Sequence, residues 1–431
     1  MKIKILLLFL IFVITNFATA KETISLVGKL EITGLPVHDV WGYTDTQTGT
    51  RYALIAASTS GLRIIDLSDP INPEIVGSIT GTGIRAIDVK TWKNYAYIVG
   101  ESPTVSGKII DLSDPTNPVQ VGTFIQGHNI TISDNGIMYL SGPGIRVLDL
   151  NEDPSNPVQV YYNGTCRGHD ISIIEDRLFD FSDNCGTRVF DFSQSDTLIS
   201  MGGVPSSGIF HHSGWTSEDG DYLYICDELA KSTENDITVW DISDLENPVM
   251  IDSFADPSAN VHNLYVRGDY AYVSYYRAGF RLFDISDPMN MELVAEYDTD
   301  PNLSGLGYGG NFGVFIFWGD DMILASDEEN GLYVFSVSGL VTGIDFEVNE
   351  GNNNLLIYPN PVSEKINLEF SGDIKNRIIK IYNSFGEELF SKNIGTDNST
   401  YISTENLNSG IYYLEIVGNN HSRTEKMIIT K

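Results

Sequence analysis

The sequence predicts an all-β protein built on a repeated unit, and three observations carry that prediction. Runs rich in Val, Ile, Tyr and Phe alternate apolar with polar residues, the period-two pattern of half-buried strands rather than helices. Glycine is abundant, 40 of 431 residues, as short strands joined by tight turns require. One strand, written GLRIIDLS at its first occurrence, returns six more times. The hydrophobic content of 42% is ample for more than one core. The 58 acidic against 26 basic residues give a net charge of -32, which repels phosphate backbones and excludes nucleic acid as a partner.

Taken in chain order, residues 1–20 open with Lys2 and Lys4, run apolar from Ile5 to Ile14 and end in Ala18, Thr19 and Ala20. This is the pattern of a secretory signal peptide, its apolar run being half the ~20 residues a spanning helix needs. No later stretch is long and apolar enough to cross a bilayer, so the mature chain is expected to lack a transmembrane helix.

Residues 21–340 hold the repeat. The recurring strand carries Asp66, Asp111, Asp149, Asp191, Asp241 and Asp284, with Ser336 in the seventh copy, at spacings of 45, 38, 42, 50 and 43 residues between the aspartates. That period is one four-stranded propeller blade. Each unit reads as an inner strand, a second such as YALIAAS, the aspartate strand, and an outer strand such as EIVGSI. Turns of the SDPINP type join the last two, where Asp and Ser bond nearby amides and Pro fixes its torsion. The seventh unit lacks an outer strand, and residues 25–30 (SLVGKL) have the missing pattern. Pairing them there removes two exposed sheet edges. The expected fold is therefore a seven-bladed β-propeller closed by its N-terminal strand.

Residues 341–354, polar and acidic, read as a linker. Residues 355–431 carry four alternating runs, LLIYPNPVSEKINLEF, RIIKIYNSFGEELF, GIYYLEIVG and EKMIITK, the pattern of a small β-sandwich. This segment resembles the type A C-terminal sorting domain of the type IX secretion system through Tyr358, Pro359, Asn360 and Pro361, the IYNSFGEEL strand and turn, Gly410 to Leu414, and a last strand with basic ends. The resemblance implies the type IX machinery as a partner, passage through the periplasm, and a final place outside the cell or on the outer-membrane surface. The repeat resembles the LVIVD type, and the whole chain is similar to choice-of-anchor B proteins. That likeness implies a location and no established reaction.

Five of the seven histidines fall at one point of the repeat, the opening of the inner strand: His38, His128, His169, His212 and His262. Ile87 and Asn311 stand there in the second and seventh units, and His211 adjoins His212. At the far end of the second strand lie Glu101, Asp183, Asp227, Glu228, Asp327 and Glu328. Antiparallel pairing brings both sets to one face near the central opening. Two roles fit them. The imidazoles pin the joints between blades, or with the acids they bind a divalent cation or polar ligand; His169, His212 and His262 with Asp183 or Asp227 form the first candidate metal set.

Cys166 and Cys185 flank the first hairpin of the fourth unit symmetrically and are expected to form a disulfide in an exported chain. Cys226 is left over as a small buried hydrophobe. The run Asp298 to Ser304 alternates oxygens like a calcium loop, but Leu303 and Gly309 occupy positions where an EF-hand needs Gly and Glu, so it reads as an acidic loop. No nucleophile and base occur at diagnostic spacing. The leading reading is a secreted or surface-anchored binding propeller with an extracellular ligand or protein partner at the top of its channel. The alternative is a metal-dependent hydrolase or lyase at the same mouth.

Overall fold

The computed structural model describes residues 22–340, apart from short gaps at 35, 101–104, 183–184, 195 and 207, and the strands of the C-terminal segment between 355 and 429. The expected signal peptide (1–20) and linker (341–354) lie outside the described residues. The chain divides into two compact units at residue 340.

The first unit contains seven four-stranded antiparallel sheets, a β-propeller. Their inner strands are Val40–Thr44, Ala86–Trp92, Ile130–Ile132, Gly168–Ile174, Ser213–Thr216, Leu264–Arg267 and Asn311–Phe315. Six sheets are built from consecutive strands, whereas the seventh takes Thr23–Leu30 as its outer strand, paired to Gly331–Ser338 from Thr23↔Ser338 to Leu30↔Leu332. A repeated glycine shows that this strand stands in for a normal outer strand. An ideal Cβ on Gly77 would come within 2.2 Å of Pro115 O in the next blade's turn, and one on Gly28 within 2.1 Å of Pro70 O in the first blade's turn. Only a residue without a side chain lets the outer strand lie against its neighbour this closely.

The hydrophobic cores lie between blades rather than within them. Tyr43, Leu54 and Ile64 of the first blade, for example, pack with Val89, Ile98 and Ile110 of the second. Successive side chains of a middle strand point to opposite faces and both sets are buried, as from Tyr52 to Ala56, since each face meets a neighbouring blade. The aspartates of the third strands cap the turns that follow: Asp66, Asp111, Asp191 and Asp241 accept the amide of the residue two further on at 2.7–3.0 Å.

The second unit has a three-stranded sheet, Leu355–Tyr358, Lys365–Phe370 and Ser399–Ser403, and a four-stranded one ordered Glu388–Gly395, Arg377–Asn383, Gly410–Gly418 and His421–Ile429. Ile366, Leu368, Ile379, Ile381, Leu414 and Met427 are among its core residues.

Candidate functional site

Because every blade begins at the channel, the residue that opens each inner strand reaches the hub. In four blades that residue is a histidine whose amide bonds the end of the second strand: His38 to Ala56 O, His128 to Ser141 O, His212 to Cys226 O and His262 to Ser274 O, at 2.7–3.0 Å. In the other three blades the register slips at the same point, between Ala86 and Asp88, Gly168 and Ile171, and Asn311 and Gly313. Such a bulge re-aims the extra residue out of the ladder.

The result is a continuous arc of rings. Centroids are 4.3 Å apart for His128–His169, 4.3 Å for His169–His212 and 4.6 Å for His212–His262. The arc continues through Phe312, 4.1 Å from His262 and 5.1 Å from His38. The seventh-blade position thus belongs to Phe312 and not to Asn311, whose amide nitrogen donates to Gly313 O and Ser326 O within its own blade. The bulge shifts the pattern by one residue, which spacing alone does not reveal.

Beneath the imidazoles is a cavity of about 30 Å³ lined by His128, His169, His212 and His262 with Asp39, Asp88 and Asp170. It has room for a water or an ion and little else. The level below it ties the blades together. Asp88 accepts the amide of Ile130 at 3.0 Å and Asn129 accepts that of Ile171 at 3.2 Å, each reaching the next blade. Lys90 Nζ sits 2.9 Å from Asp39 and 2.5 Å from Asp88, all three side chains being buried. Burial raises the Asp39 carboxyl well above the usual range, against the pull of Lys90. For Asp88 the cost of burial is outweighed by Lys90 and by hydrogen bonds, and its carboxyl is held low.

Above the cavity, Glu228 faces two imidazoles. Its Oε1 is 3.7 Å from His169 Nε2, its Oε2 is 3.5 Å from His212 Nε2, and Tyr276 donates to Oε2 at 2.9 Å. Ligand atoms of His169, His212 and Glu228 all lie within 4.8 Å of one another. Burial raises the Glu228 carboxyl, opposed by His169 and the Tyr276 hydroxyl. Burial also lowers His212 well below 6.5, reinforced by the neighbouring imidazoles, so it is neutral at pH 7. His212 Nδ1 is buried without a hydrogen-bond partner. Burial brings His262 down to about 3, and its Nδ1 lies 2.6 Å from Phe312 O across the joint.

The remaining expected residues separate. Glu328 stays at the mouth, its Oε1 3.5 Å from His38 Nε2, and burial with Glu329 nearby pushes its carboxyl up to about 7. His38 also meets Arg85 at 3.1 Å. His211 turns away from the hub: its Nδ1 lies 2.8 Å from Thr187 Oγ1, in a buried contact with the fourth blade. Asp227 accepts the amides of Phe210 and Leu229, both at 3.0 Å, and so shapes its own loop; Glu228, one residue on, reaches the imidazoles in its place. Asp327 caps its turn through the amides of Glu329 and Asn330 and groups with Asp300 and Glu329 away from the histidines. Glu101 and Asp183 lie outside the described residues. Spacing did not single out Phe312, Tyr276 or Arg85. Cys166 and Cys185 are joined, with Cα atoms 6.1 Å apart, and Cys226 is buried with its thiol pushed up by desolvation.

Residues 50–81, 85–125, 218–256 and 259–299 match the LVIVD repeat, and residues 356–430 match the secretion system C-terminal sorting domain. No curated protein matches the sequence. Among solved structures the chain is similar to YCF48 bound to D1 peptide, with 12% identity and a TM-score of 0.51 over 76% of this chain and 98% of that one. It is also similar to PorZ, described as an essential bacterial surface component of the type-IX secretion system of Porphyromonas gingivalis, with 11% identity and a TM-score of 0.42. That match covers 88% of this chain, which spans 64% of the PorZ chain. At such identities likeness speaks to fold alone. The sorting domain implies engagement of the type IX secretion machinery and export to the cell surface or extracellular space. The chain is an LVIVD-repeat β-propeller that carries a C-terminal secretion sorting domain.

Proposed function

We propose that this exported propeller is a binding module whose hub holds a divalent cation between His169, His212 and Glu228 and presents it to a polar ligand or partner at the mouth of the channel. The observation that carries the reading is the spacing of the three groups. At 3.5 and 3.7 Å the carboxylate oxygens are too far from the two Nε2 atoms for good hydrogen bonds. They are close to the ~3.3–3.4 Å that separates two ligands on a zinc tetrahedron with bonds of about 2.0–2.1 Å. Neutral imidazoles are what a metal needs, and burial supplies one in His212. A cation would in turn hold Glu228 ionised against the desolvation that raises it. Three protein ligands leave a coordination position for the bound partner. His262, committed through Nδ1 to Phe312 O, serves as a strut between blades instead.

The test is equilibrium dialysis of chelator-stripped protein against zinc, followed by elemental analysis. The reading expects one zinc per chain, lost in His169→Ala and in Glu228→Gln while the melting temperature of the stripped forms stays near that of the stripped parent. Failure of the parent to retain zinc, or equal retention by both variants, overturns it.

A further inference from the structure

The hub histidines face one end of the channel, and the other end carries a second column. Three residues beyond each hub position stand Trp41, Lys90, Thr131, Ser172, Trp215 and Tyr265, with Phe315 in the seventh blade. At about 3.3 Å per residue this level lies about 10 Å further along the inner strands. A cavity of about 500 Å³ opens there, within the size range of small-molecule sites, and every blade contributes to its wall.

That wall is divided in two. Trp215, Tyr265, Phe317 and Trp41 come from four consecutive blades and form one aromatic arc. Their centroids are 5.0 Å apart for Trp215–Tyr265, 5.4 Å for Tyr265–Phe317 and 5.6 Å for Trp41–Phe317. Phe317 sits in the middle of the arc and remains 47% exposed. The facing wall comes from the third and fourth blades and is mixed: Thr131, Ser133, Asp134, Ser172 and Glu175 supply polar groups, together with Ile132, Ile173 and Phe192. Lys90 stands at the floor, its charge answered by Asp39 and Asp88.

This division selects a ligand class. The carboxylates of Asp134, Asp170 and Glu175 line the cavity of a protein with a net charge of -32, and Lys90 is already paired, so an anion is disfavoured. The rings are inclined at 49–78° to one another, so they form no flat platform, and Phe317, the exposed one, offers the face on which a ligand ring can stack. A neutral ring with one apolar face and a hydroxylated edge matches both walls: its C–H face covers the aromatic arc, and its hydroxyls donate to the carboxylates and hydroxyls opposite. We propose that the channel mouth opposite the histidines binds a saccharide, with one pyranose ring stacked on Phe317 within the aromatic arc. Asp170 lines both cavities, but the aromatic arc shares no residue with the histidine level, and the stacking contact needs no cation.

The test is saturation-transfer difference NMR on the full chain, with and without chelator. The probes are the methyl glycosides of glucose, galactose, mannose and N-acetylglucosamine, with tetramethylammonium as the cationic control. Transfer to the ring protons of at least one glycoside is expected, unchanged by the chelator. Phe317→Ala should weaken that glycoside about tenfold, the loss of one stacked ring. Thr131→Trp, which fills the cavity, should abolish binding, and thermal melts confirm that both variants are folded. Trp215 also packs against the cores between blades, so its truncation is less informative. No transfer to any of the four glycosides, equal transfer in folded Phe317→Ala, or binding of tetramethylammonium in place of the sugars overturns the proposal.

Discussion

Replacing Lys90 by Met would expose how the level beneath the histidines is held together. The side chain is buried, with Nζ at 2.9 Å from Asp39, 2.5 Å from Asp88 and 4.6 Å from the centre of the Trp41 ring. Methionine keeps most of the volume and the contact with the indole but removes the cation between two buried carboxylates. Breaking a buried pair from one side costs about 3–5 kcal/mol, because the orphaned charge has no water to turn to. Two like charges about 4 Å apart at an effective dielectric of 20 repel by about 4 kcal/mol, which sets the same scale. The loss should depend on pH. Without Lys90 the raised carboxyl of Asp39 rises further, and a carboxyl raised in the folded state stabilises below its unfolded value and loses that stability as pH rises through its folded one. The deficit of Lys90→Met is therefore largest near neutrality and shrinks toward the ordinary carboxylate range. Asp39→Asn in the same chain should recover more than half of it, a coupling readable from a double-mutant cycle. Denaturant unfolding of the four forms at two pH values measures all of this. A single variant as stable as the parent at pH 7, or a deficit that grows on acidification, would refute the reasoning.

Deleting residues 22–32 removes the outer strand of the seventh blade with its register from Thr23↔Ser338 to Leu30↔Leu332, and should lower the melting temperature by ten degrees or more, on the order expected for several lost hydrogen bonds and a newly open sheet edge; an unchanged melt contradicts closure by this strand. Acid should destabilise the propeller from about pH 6.5 downward, because burial holds His38 and His211 at about 4 and His262 at about 3. A histidine lowered in the folded state contributes stability that is present above about 6.5 and is lost as pH falls toward the folded value. Urea midpoints measured from pH 7 to pH 4 should fall steadily, and His211→Gln should flatten part of the slope.

The fold was legible because its signals repeat. The aspartate of six third strands, the SDPINP-type turns and the glycine of four outer strands write the same local physics several times over, so the gap in the seventh unit could be matched to residues near the N-terminus. The hub was legible only as a column. Spacing brought the five histidines to one level, but it could not show a bulge, and the bulge between Asn311 and Gly313 is what places Phe312 in the arc. Neighbouring acids were equally hard to separate. Asp227 and Glu228 differ by one position and one methylene, yet the shorter side chain meets its own loop amides while the longer one reaches His169 and His212. His211 beside His212 behaves likewise, since successive residues of an extended chain point to opposite sides. The aromatic column three residues on was present in the sequence throughout, but Trp and Tyr on strands ordinarily signal core, and only the open cavity distinguishes this use.

The central claim is that the hub is a cation site built by two imidazoles and one buried carboxylate. Crystals of the full chain soaked in zinc, with anomalous differences collected on both sides of the zinc absorption edge, test it most directly. The account predicts one dominant peak between His169, His212 and Glu228, within about 2.0–2.2 Å of both Nε2 atoms and a carboxylate oxygen. A dominant peak at Asp300, Asp327 and Glu329 instead, or no peak at the hub, would contradict it.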